Sequence, residues 1–447
     1  MSSLQPNLNA HHTMNFWQIA AFFILSLQLS VPMGAMAAEA NQGITDTSIR
    51  VGSIMPLTGN SAYDGTDDYS SNMKNGIEAA LKDQVAQGRK IELEVMNDDN
   101  DPMSTIQDAK KLMNKGVFIM LGNVGALSTL KVVKVLEANQ IPMLGFLTLG
   151  DINADNMLNY RPNPAQEVAS LFEHAVKSGV KPSQVCLFVQ NDVFGMSGLN
   201  GLKEGLKQYP DAQPEMDKIN ALLEMMWGGI NPALNNVGPV GFYQSETVFV
   251  RDAYLSLKHW ENESGNACKQ VIVLAIPRVA ADFIAYSRSK NEPWSFSAIS
   301  ATAAGNTLSG YLSALSVNDN IVVSQVVPPL NSNLPIVVEA RKALGDGFNH
   351  ISLEGYIVGR AFTTLLKSMK DPLTRANFVK AARQKPIDVG GLTIDFSRNG
   401  AGSSLVSLNN LKSGVYHALN DDDAHSLPNT GPTIASPTPA ASSTAKP

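Results

Sequence analysis

A glycine-rich turn at residues 122–126, Gly-Asn-Val-Gly-Ala, offers ligand-binding chemistry in this sequence. It follows a predicted strand and precedes a predicted helix. Its small side chains would therefore let backbone N–H groups face a ligand oxygen at the helix N-terminus. A tight strand-to-helix turn without any ligand explains the same residues equally well, so both interpretations are kept.

Motifs for catalysis and cofactor binding are missing from the sequence. The turn after the first predicted strand, 56–60, is Pro-Leu-Thr-Gly-Asn rather than Gly-x-Gly-x-x-Gly, and no Gly-Lys-Ser/Thr loop occurs. Residues 195–198 match only part of a nucleophile elbow. The histidines lack metal-ligand spacing, and the acidic run at 98–101 is better explained as a solvated turn than as a calcium loop. We predict a protein that is not an enzyme and has no cofactor or metal.

Alternating strand and helix patterns position these turns. Residues 49–55, 91–95, 117–121 and 141–146 have strand character, and stretches with helical spacing of apolar residues separate them. The same alternation resumes after Tyr160. It predicts right-handed βαβ units around parallel sheets, and two α/β units of similar size are the simplest account.

The segments that directly follow the predicted strands are the candidates for ligand contact, because open parallel sheets bind ligands beyond the carboxyl ends of their strands. These segments are 60–64, 123–127, 147–149, 190–194, 276–278 and Ser300.

Composition limits the function classes. The chain has 447 residues with 44% hydrophobic residues, which is a globular balance with room for two to three domains at about 150 residues each. The net charge of −6 argues against nucleic acid as a partner, because binding phosphate needs a surplus of Lys and Arg.

Both ends of the chain differ from its body. Residues 16–31 form one apolar run followed by small residues, which predicts a signal peptide, 1–37, cleaved after Ala37. An uncleaved membrane anchor is the alternative. Residues 421–447 are rich in Pro, Ser, Thr and Ala, and this composition predicts a disordered tail.

Two cysteines, Cys186 and Cys268, lie in and just before predicted buried strands. In an exported protein they can form a disulfide, since such bonds persist in oxidising compartments. Two buried free thiols are the alternative.

The order and spacing of several motifs resemble periplasmic solute-binding proteins of the Leu/Ile/Val-binding type, which serve ABC importers. The resemblance covers nearly all of 45–420. It rests on Ile49-Arg50-Val51-Gly52, Pro56-Leu57-Thr58-Gly59, Asn97-Asp98-Asp99, Asn191-Asp192, Leu353-Glu354-Gly355-Tyr356 and Gly391-Leu392-Thr393-Ile394-Asp395-Phe396.

This resemblance implies an α/β fold of the type I periplasmic-binding class. Two Rossmann-like lobes with parallel sheets would be joined by a three-crossover hinge and would close on a ligand in the cleft between them. We place the N-lobe at 45–160 plus 329–388 and the C-lobe at 161–328 plus 389–420. The implied partners are a small-molecule ligand and an ABC permease in the inner membrane, with the protein monomeric in the periplasm. A ligand-sensing subunit for a membrane receptor, or a carrier of bulky apolar or lipid molecules, are the alternatives.

The resemblance also implies where a ligand is held. Amino-acid binders of this family hold the ligand carboxylate after the third and fourth strands, and hold the ammonium with an acidic side chain in the C-lobe. These positions fall near Ala126, near 147–149 and near Ser300. Ala126 has no hydroxyl and Ser300 has no charge, while a buried ammonium without an anionic partner is costly. These departures disfavour a free amino acid and favour a less polar or uncharged ligand, so we expect a ligand that is branched-chain amino acid-like or less polar.

The residues that we predict to line the cleft combine backbone donors with apolar cover. Amides of Gly125 and Ala126 would donate to a ligand oxygen, and three aromatic side chains would cover its apolar part; several of the apolar residues would serve equally well in the core. The predicted set is Tyr63, Asn123, Gly125, Ala126, Thr148, Asn191, Phe194, Ile276, Ser300 and Tyr356.

Overall fold

A computed structural model describes residues 42–58, 66–147, 152, 154–232, 237–245, 247–397 and 401–419, with the backbone only at 66, 67 and 126. The predicted signal peptide, 1–37, and the predicted tail, 421–447, lie outside these residues. None of the helices in the described segments is long and apolar enough to cross a membrane.

The first sheet is built from the N-terminal part of the chain. Its strand order is β2-β3-β1-β4-β5-β6, parallel except for the short β2–β3 pair. The central strand β1 is buried almost throughout, as expected for a strand of a sheet covered on both faces. The strands are β1 (Ser48–Met55), β2 (Val85–Ala86), β3 (Arg89–Asn97), β4 (Ile119–Leu121), β5 (Met143–Leu144) and β6 (Met157–Leu158).

The second sheet has the order β15-β14-β11-β10-β9-β7-β8. Its strands are parallel except for β14 and β15, which add an antiparallel edge. A separate antiparallel pair, β12 and β13, lies before them in the chain. The strands are β7 (Val185–Gln190), β8 (Val240–Tyr243), β9 (Gln270–Leu274), β10 (Ser295–Ala298), β11 (Ile321–Gln325), β12 (Ile387–Val389), β13 (Leu392–Ile394), β14 (Ser407–Lys412) and β15 (Val415–Ala418).

Helices connect the parallel strands, and several start at capping residues that are readable in the sequence. Asp101 accepts hydrogen bonds from the amides of Met103 and Ser104, and Asn163 forms a capping box with Gln166. The helices are α1 (Thr66–Leu81), α2 (Pro102–Lys115), α3 (Ala126–Ala138), α4 (Pro164–Lys177), α5 (Val193–Leu206), α6 (Gln213–Trp227), α7 (Arg251–Ser264), α8 (Pro277–Ser289), α9 (Ser300–Ala303), α10 (Thr307–Ala314), α11 (Pro335–Leu344), α12 (His350–Ser368) and α13 (Arg375–Gln384).

The chain passes between the two sheets three times: after β6, after β11 and after β13. Helices α11 to α13 return after the second passage and pack in the hydrophobic cluster of the first sheet. The predicted two-lobed α/β fold with three crossovers is therefore confirmed. The lobe limits, 45–160 plus 329–388 and 161–328 plus 389–420, stay predictions, and the side chains of Val389, Ile394 and Phe396 pack in the cluster of the first sheet.

The two cysteines are joined in the second sheet. Cys186 of β7 and Cys268 just before β9 form a disulfide with a Cα–Cα distance of 5.8 Å. Because β7 and β9 are hydrogen-bonded neighbours, the disulfide cross-links adjacent strands in a buried core.

A buried histidine contacts the second sheet from the start of α12. The Nε2 atom of His350 lies 3.5 Å from Nδ2 of Asn409 in β14, and Nδ1 has no hydrogen-bond partner among the described residues. Burial lowers the pKa of His350 to about 4. The neutral ring is therefore the form that the folded protein accommodates.

This lowered pKa predicts loss of stability in acid. An unfolded histidine takes up its proton near pH 6.5, so the contribution of His350 is complete above that pH and declines as the pH falls towards 4. The decline reaches about 3 kcal/mol at pH 4. Chemical unfolding of wild type and His350→Gln should therefore give a free-energy difference that shifts in favour of the variant between pH 7 and 4. A difference that does not vary with pH would contradict this assignment.

Candidate functional site

A cavity of about 150 Å³ lies between the carboxyl ends of strands from both sheets. Pro56 after β1 and Leu147 after β5 line it from the first lobe. Gln190 at the end of β7, Ser245 after β8 and Ile276 after β9 line it from the second lobe. This is where open parallel sheets place their ligands.

The predicted site residues divide into three groups. Gly125, Phe194 and Ile276 line the cavity. Four others are described but are not among its lining residues: Asn123, Asn191, Ser300 and Tyr356. The predicted contacts of Tyr63, Thr148 and the Ala126 side chain lie outside the described residues.

The four described residues off the cavity wall have different surroundings. Tyr356 is buried on α12 in the hydrophobic cluster of the first sheet, and Nδ2 of Asn191 donates to Oδ1 of Asn231 at 2.9 Å. The side chain of Ser300 contacts Arg161 in a buried charged cluster. Asn123 is 1% exposed, and neither polar atom of its amide has a hydrogen-bond partner among the described residues. An unpartnered buried amide next to the cavity wall is unusual and favours a polar occupant nearby.

The start of α3 presents backbone donors on the first-lobe side. Gly125 is its N-cap residue and has φ of 130°, a conformation that favours glycine. Because glycine has no side chain, nothing at this position accepts hydrogen bonds from the first-turn amides. These amides and the helix dipole together attract a negatively charged or carbonyl oxygen.

An acidic side chain lines the second-lobe side. Asp192 is the N-cap of α5: its Oδ1 accepts from the amide of Phe194 at 2.9 Å, and its Oδ2 accepts from Nε2 of Gln190 at 2.6 Å. Burial raises the pKa of Asp192, and these hydrogen bonds lower it in part. A carboxylate has further acceptor positions, so Asp192 can also receive a hydrogen bond from a ligand.

The part of the cavity wall that the structure describes is largely apolar and has no basic side chain. The described lining residues include no Lys, Arg or His. In the sequence, the segments 59–65 and 148–151 contain aspartates but no Lys or Arg. Most of the wall is apolar, with Tyr69, Val124, Leu127, Phe194 and Ile276 among its members.

A buried charged cluster lies behind Tyr69, and we call it the Arg161 cluster. Arg161, in the first passage between the sheets, is 3% exposed. Its Nη1 donates to Oη of Tyr69 at 3.0 Å, and its Nη2 contacts Oε1 of Glu167 at 3.4 Å. Members of the cluster are Tyr69, Arg161, Glu167, Ser300, Ser324 and Glu354.

Comparisons with known proteins agree with this architecture. The model of a family described as periplasmic binding protein matches residues 48–210. A possible leucine/isoleucine/valine-binding protein from Rhodopirellula baltica superposes with a TM-score of 0.71 at 24% identity, over 85% of this chain and 97% of that one. The chain has the type I periplasmic-binding fold. The resemblance that the sequence indicated is thus confirmed.

Two further structures of this fold are similar over most of the chain. A branched-chain amino acid ABC transporter protein from Thermus thermophilus with bound valine gives a TM-score of 0.64 at 12% identity, covering 84% of this chain and 96% of that one. A fatty acid ABC transporter substrate-binding protein from Thermomonospora curvata gives a TM-score of 0.65 at 14% identity, covering 86% of this chain and 96% of that one. A comparison with curated protein sequences found no significant match.

Within this periplasmic-binding fold, sequence reasoning missed two features of the site. Asp192 lies in the candidate segment 190–194 and lines the cavity, whereas the predicted set contains its neighbour Asn191. The position of Asp192 between a buried strand and a helix start was the available signal, since Asp is a preferred N-cap residue. Arg161 had no local signal, because its partners are distant in the sequence.

Proposed function

We propose that this chain is the exported solute-binding subunit of an ABC importer, working without catalysis. It would capture a compact ligand between its lobes and deliver it to a permease in the inner membrane. The observation that carries the proposal is the apolar cavity between the two sheets, with helix amides on one side and Asp192 on the other. Export to the periplasm rests on the predicted signal peptide, and the relatives with this fold include proteins named for ABC transport.

We infer that the ligand is an amino acid with an apolar side chain. Its carboxylate would accept from the first-turn amides of α3, and its ammonium would donate to Asp192. The apolar wall would cover the side chain, and a cavity of about 150 Å³ favours a small one. The sequence disfavoured a free amino acid because Ser300 carries no charge, and Asp192 removes that objection by supplying an anionic partner.

A free fatty acid fits this wall less well. Its carboxylate would bring a net negative charge into a cavity where Asp192 is the ionisable acid and where no basic group is described. Burying a charge without a compensating partner is unfavourable. A neutral amide or amine with an apolar body is the nearest alternative to the amino acid.

The test is a thermal-shift and calorimetric titration of the chain from residue 38 onward. The probes are leucine, isoleucine and valine, leucinamide, 4-methylpentanoate, and octanoate as the fatty acid. We expect the three amino acids to raise the unfolding temperature, since a ligand at 100 times its Kd adds about 2.7 kcal/mol to the stability of the folded state. Saturable binding of octanoate with no response to any amino acid or to leucinamide would refute the proposed ligand class.

The variant Asp192→Asn tests the proposed ammonium contact independently of the other contacts that the ligand would make. We expect the affinity for leucine to fall by about 30-fold or more, because a buried charge loses its partner, at a cost of about 2 kcal/mol or more. Affinity for 4-methylpentanoate should stay the same or rise. Asp101→Asn is the matched control, since Asp101 caps α2 in the same manner and is not a lining residue. Equal losses for leucine and 4-methylpentanoate would show that Asp192 acts only as a helix cap.

A further inference from the structure

We propose that Arg161 is a positioning residue that couples the ligand cavity to the joint between the lobes. By the joint we mean the contacts of the Arg161 cluster that connect the first lobe with the second. In this role it holds Tyr69 at the cavity wall and favours the arrangement in which the lobes lie together. The part of this inference that concerns ligand affinity rests on the proposed function. The part that concerns the distance between the lobes can be tested without a ligand.

The first observation is that Arg161 contacts both lobes. Towards the first lobe, its Nη1 donates to Oη of Tyr69 on α1, and its Nε lies 3.8 Å from Oε1 of Glu354 on α12. Towards the second lobe, its Nη2 donates to Oγ of Ser300 and contacts Glu167 on α4. A planar guanidinium with five N–H donors suits such a multiple contact, whereas a lysine ammonium cannot reproduce it.

The second observation is that each lobe fixes one of the two carboxylates. Oε2 of Glu167 accepts from the amide of Ser300 at 2.9 Å and from Oγ of Ser324 at 2.6 Å. Oε2 of Glu354 accepts from Oη of Tyr69 at 3.2 Å. Each acid is thus tied to its own lobe, and Arg161 is the group that joins them.

The third observation concerns charge. The side chains of Arg161, Glu167 and Glu354 are 3%, 1% and 4% exposed. Among the described residues, Arg161 is thus the cation that faces both buried carboxylates. Such groups interact strongly only while water is excluded. Separating the lobes would admit water and weaken the attraction across the joint, so the cluster favours the lobes lying together.

The last observation links the cluster to the ligand. Tyr69 is a lining residue of the cavity. The hydroxyl of its ring contacts Arg161 and Glu354. A ligand packed on that ring would shield the cluster from water, and an intact cluster would hold the ring in place for the ligand. By linkage, the effect of each on the other is the same coupling free energy.

The experiment compares wild type, Arg161→Met, Ser300→Ala and Arg375→Lys. Ser300→Ala removes one contact across the joint and keeps all charges. It therefore still tests the coupling if Arg161→Met does not fold. Arg375 is the control: its guanidinium donates to the carbonyl oxygens of Val117, Phe118 and Asn139, all in the first lobe. Spin labels at the exposed positions Lys134→Cys and Glu224→Cys report the distance between lobes by pulsed electron resonance.

We expect ligand-free Arg161→Met to show a longer or broader distance distribution than wild type, and Ser300→Ala a smaller shift in the same direction. Leucine affinity should fall at least about fivefold in Arg161→Met. Arg375→Lys should lower the unfolding temperature without changing either readout. Unchanged distances in both cluster variants would refute the coupling. If the wild-type protein binds none of the probes, the proposed ligand class is wrong. The distances measured between the spin labels still test the role of Arg161.

Discussion

Replacing both half-cystines, as Cys186→Ala with Cys268→Ala, should lower the free energy of unfolding by about 4–5 kcal/mol. The bond closes a loop of 82 residues, and in the chain-entropy model a cross-link of that span restricts the unfolded chain by this amount. Denaturant unfolding of the oxidised wild type and of the double variant measures the difference.

Reduction provides the control for the disulfide. A thiol reductant should lower the unfolding midpoint of wild type towards that of the double variant and should leave the double variant unchanged. Both cysteines are fully buried in the core of the second lobe, so the reductant must be present during unfolding. Equal midpoints for oxidised wild type and the double variant would contradict the prediction.

Gly355→Ala should destabilise the first lobe by about 3 kcal/mol, the upper end of the usual cost of overpacking a core. Gly355 of α12 packs against α1, and a Cβ atom there would lie 2.3 Å from the carbonyl oxygen of Met73. At Gly76 of α1 a Cβ atom would lie 2.1 Å from the carbonyl oxygen of Ser352. Since these neighbours are backbone atoms, the two helices would have to move apart, and Gly76→Ala should have a similar effect.

The matched control is Gly310→Ala in α10, where a Cβ atom meets nothing within 4 Å. This exposed helical position should gain roughly 0.5–1 kcal/mol from the better helix propensity of alanine. Denaturant unfolding gives the free energy of unfolding of the three variants. A loss at Gly355 and Gly76 with a gain at Gly310 separates the cost of steric overlap from the gain in helix propensity. If Gly355→Ala were as stable as Gly310→Ala, the close contact between α1 and α12 would be wrong.

The glycine contacts also bear on the proposed site. Helices α1 and α12 carry Tyr69 and Glu354, whose side chains are hydrogen-bonded to each other. Moving the helices apart would therefore disturb the Arg161 cluster and the cavity wall. We expect any folded fraction of Gly355→Ala to bind leucine more weakly than wild type.

Local patterns predicted much of the fold. The apolar run at 185–189 forms the buried strand β7, and Asp101 followed by Pro102 starts α2. Strand limits were less well predicted: 141–146 has strand character, but β5 covers only Met143–Leu144. Strand ends depend on which neighbour is available for pairing, and local sequence does not specify that neighbour.

Cavity-lining residues were predictable only where the local sequence marks the end of a strand. Gly125 and Ile276 line the cavity and were predicted because each lies in the short segment after a strand, and parallel strands deliver their carboxyl ends to the same edge of the sheet. Asp192 also lies in the segment after a strand, but spacing does not tell which of two adjacent side chains, Asn191 or Asp192, turns towards the cavity.

The sequence by itself determined the alternation of strands and helices, several helix starts and the two-lobed type of fold, because apolar periodicity and capping act over a few residues. Only the tertiary structure brought Asp192 to the cavity wall and gathered the four partners of Arg161 from four separate helices. A buried ion pair depends on which distant segments meet and exclude water, and no local pattern in the chain encodes that meeting.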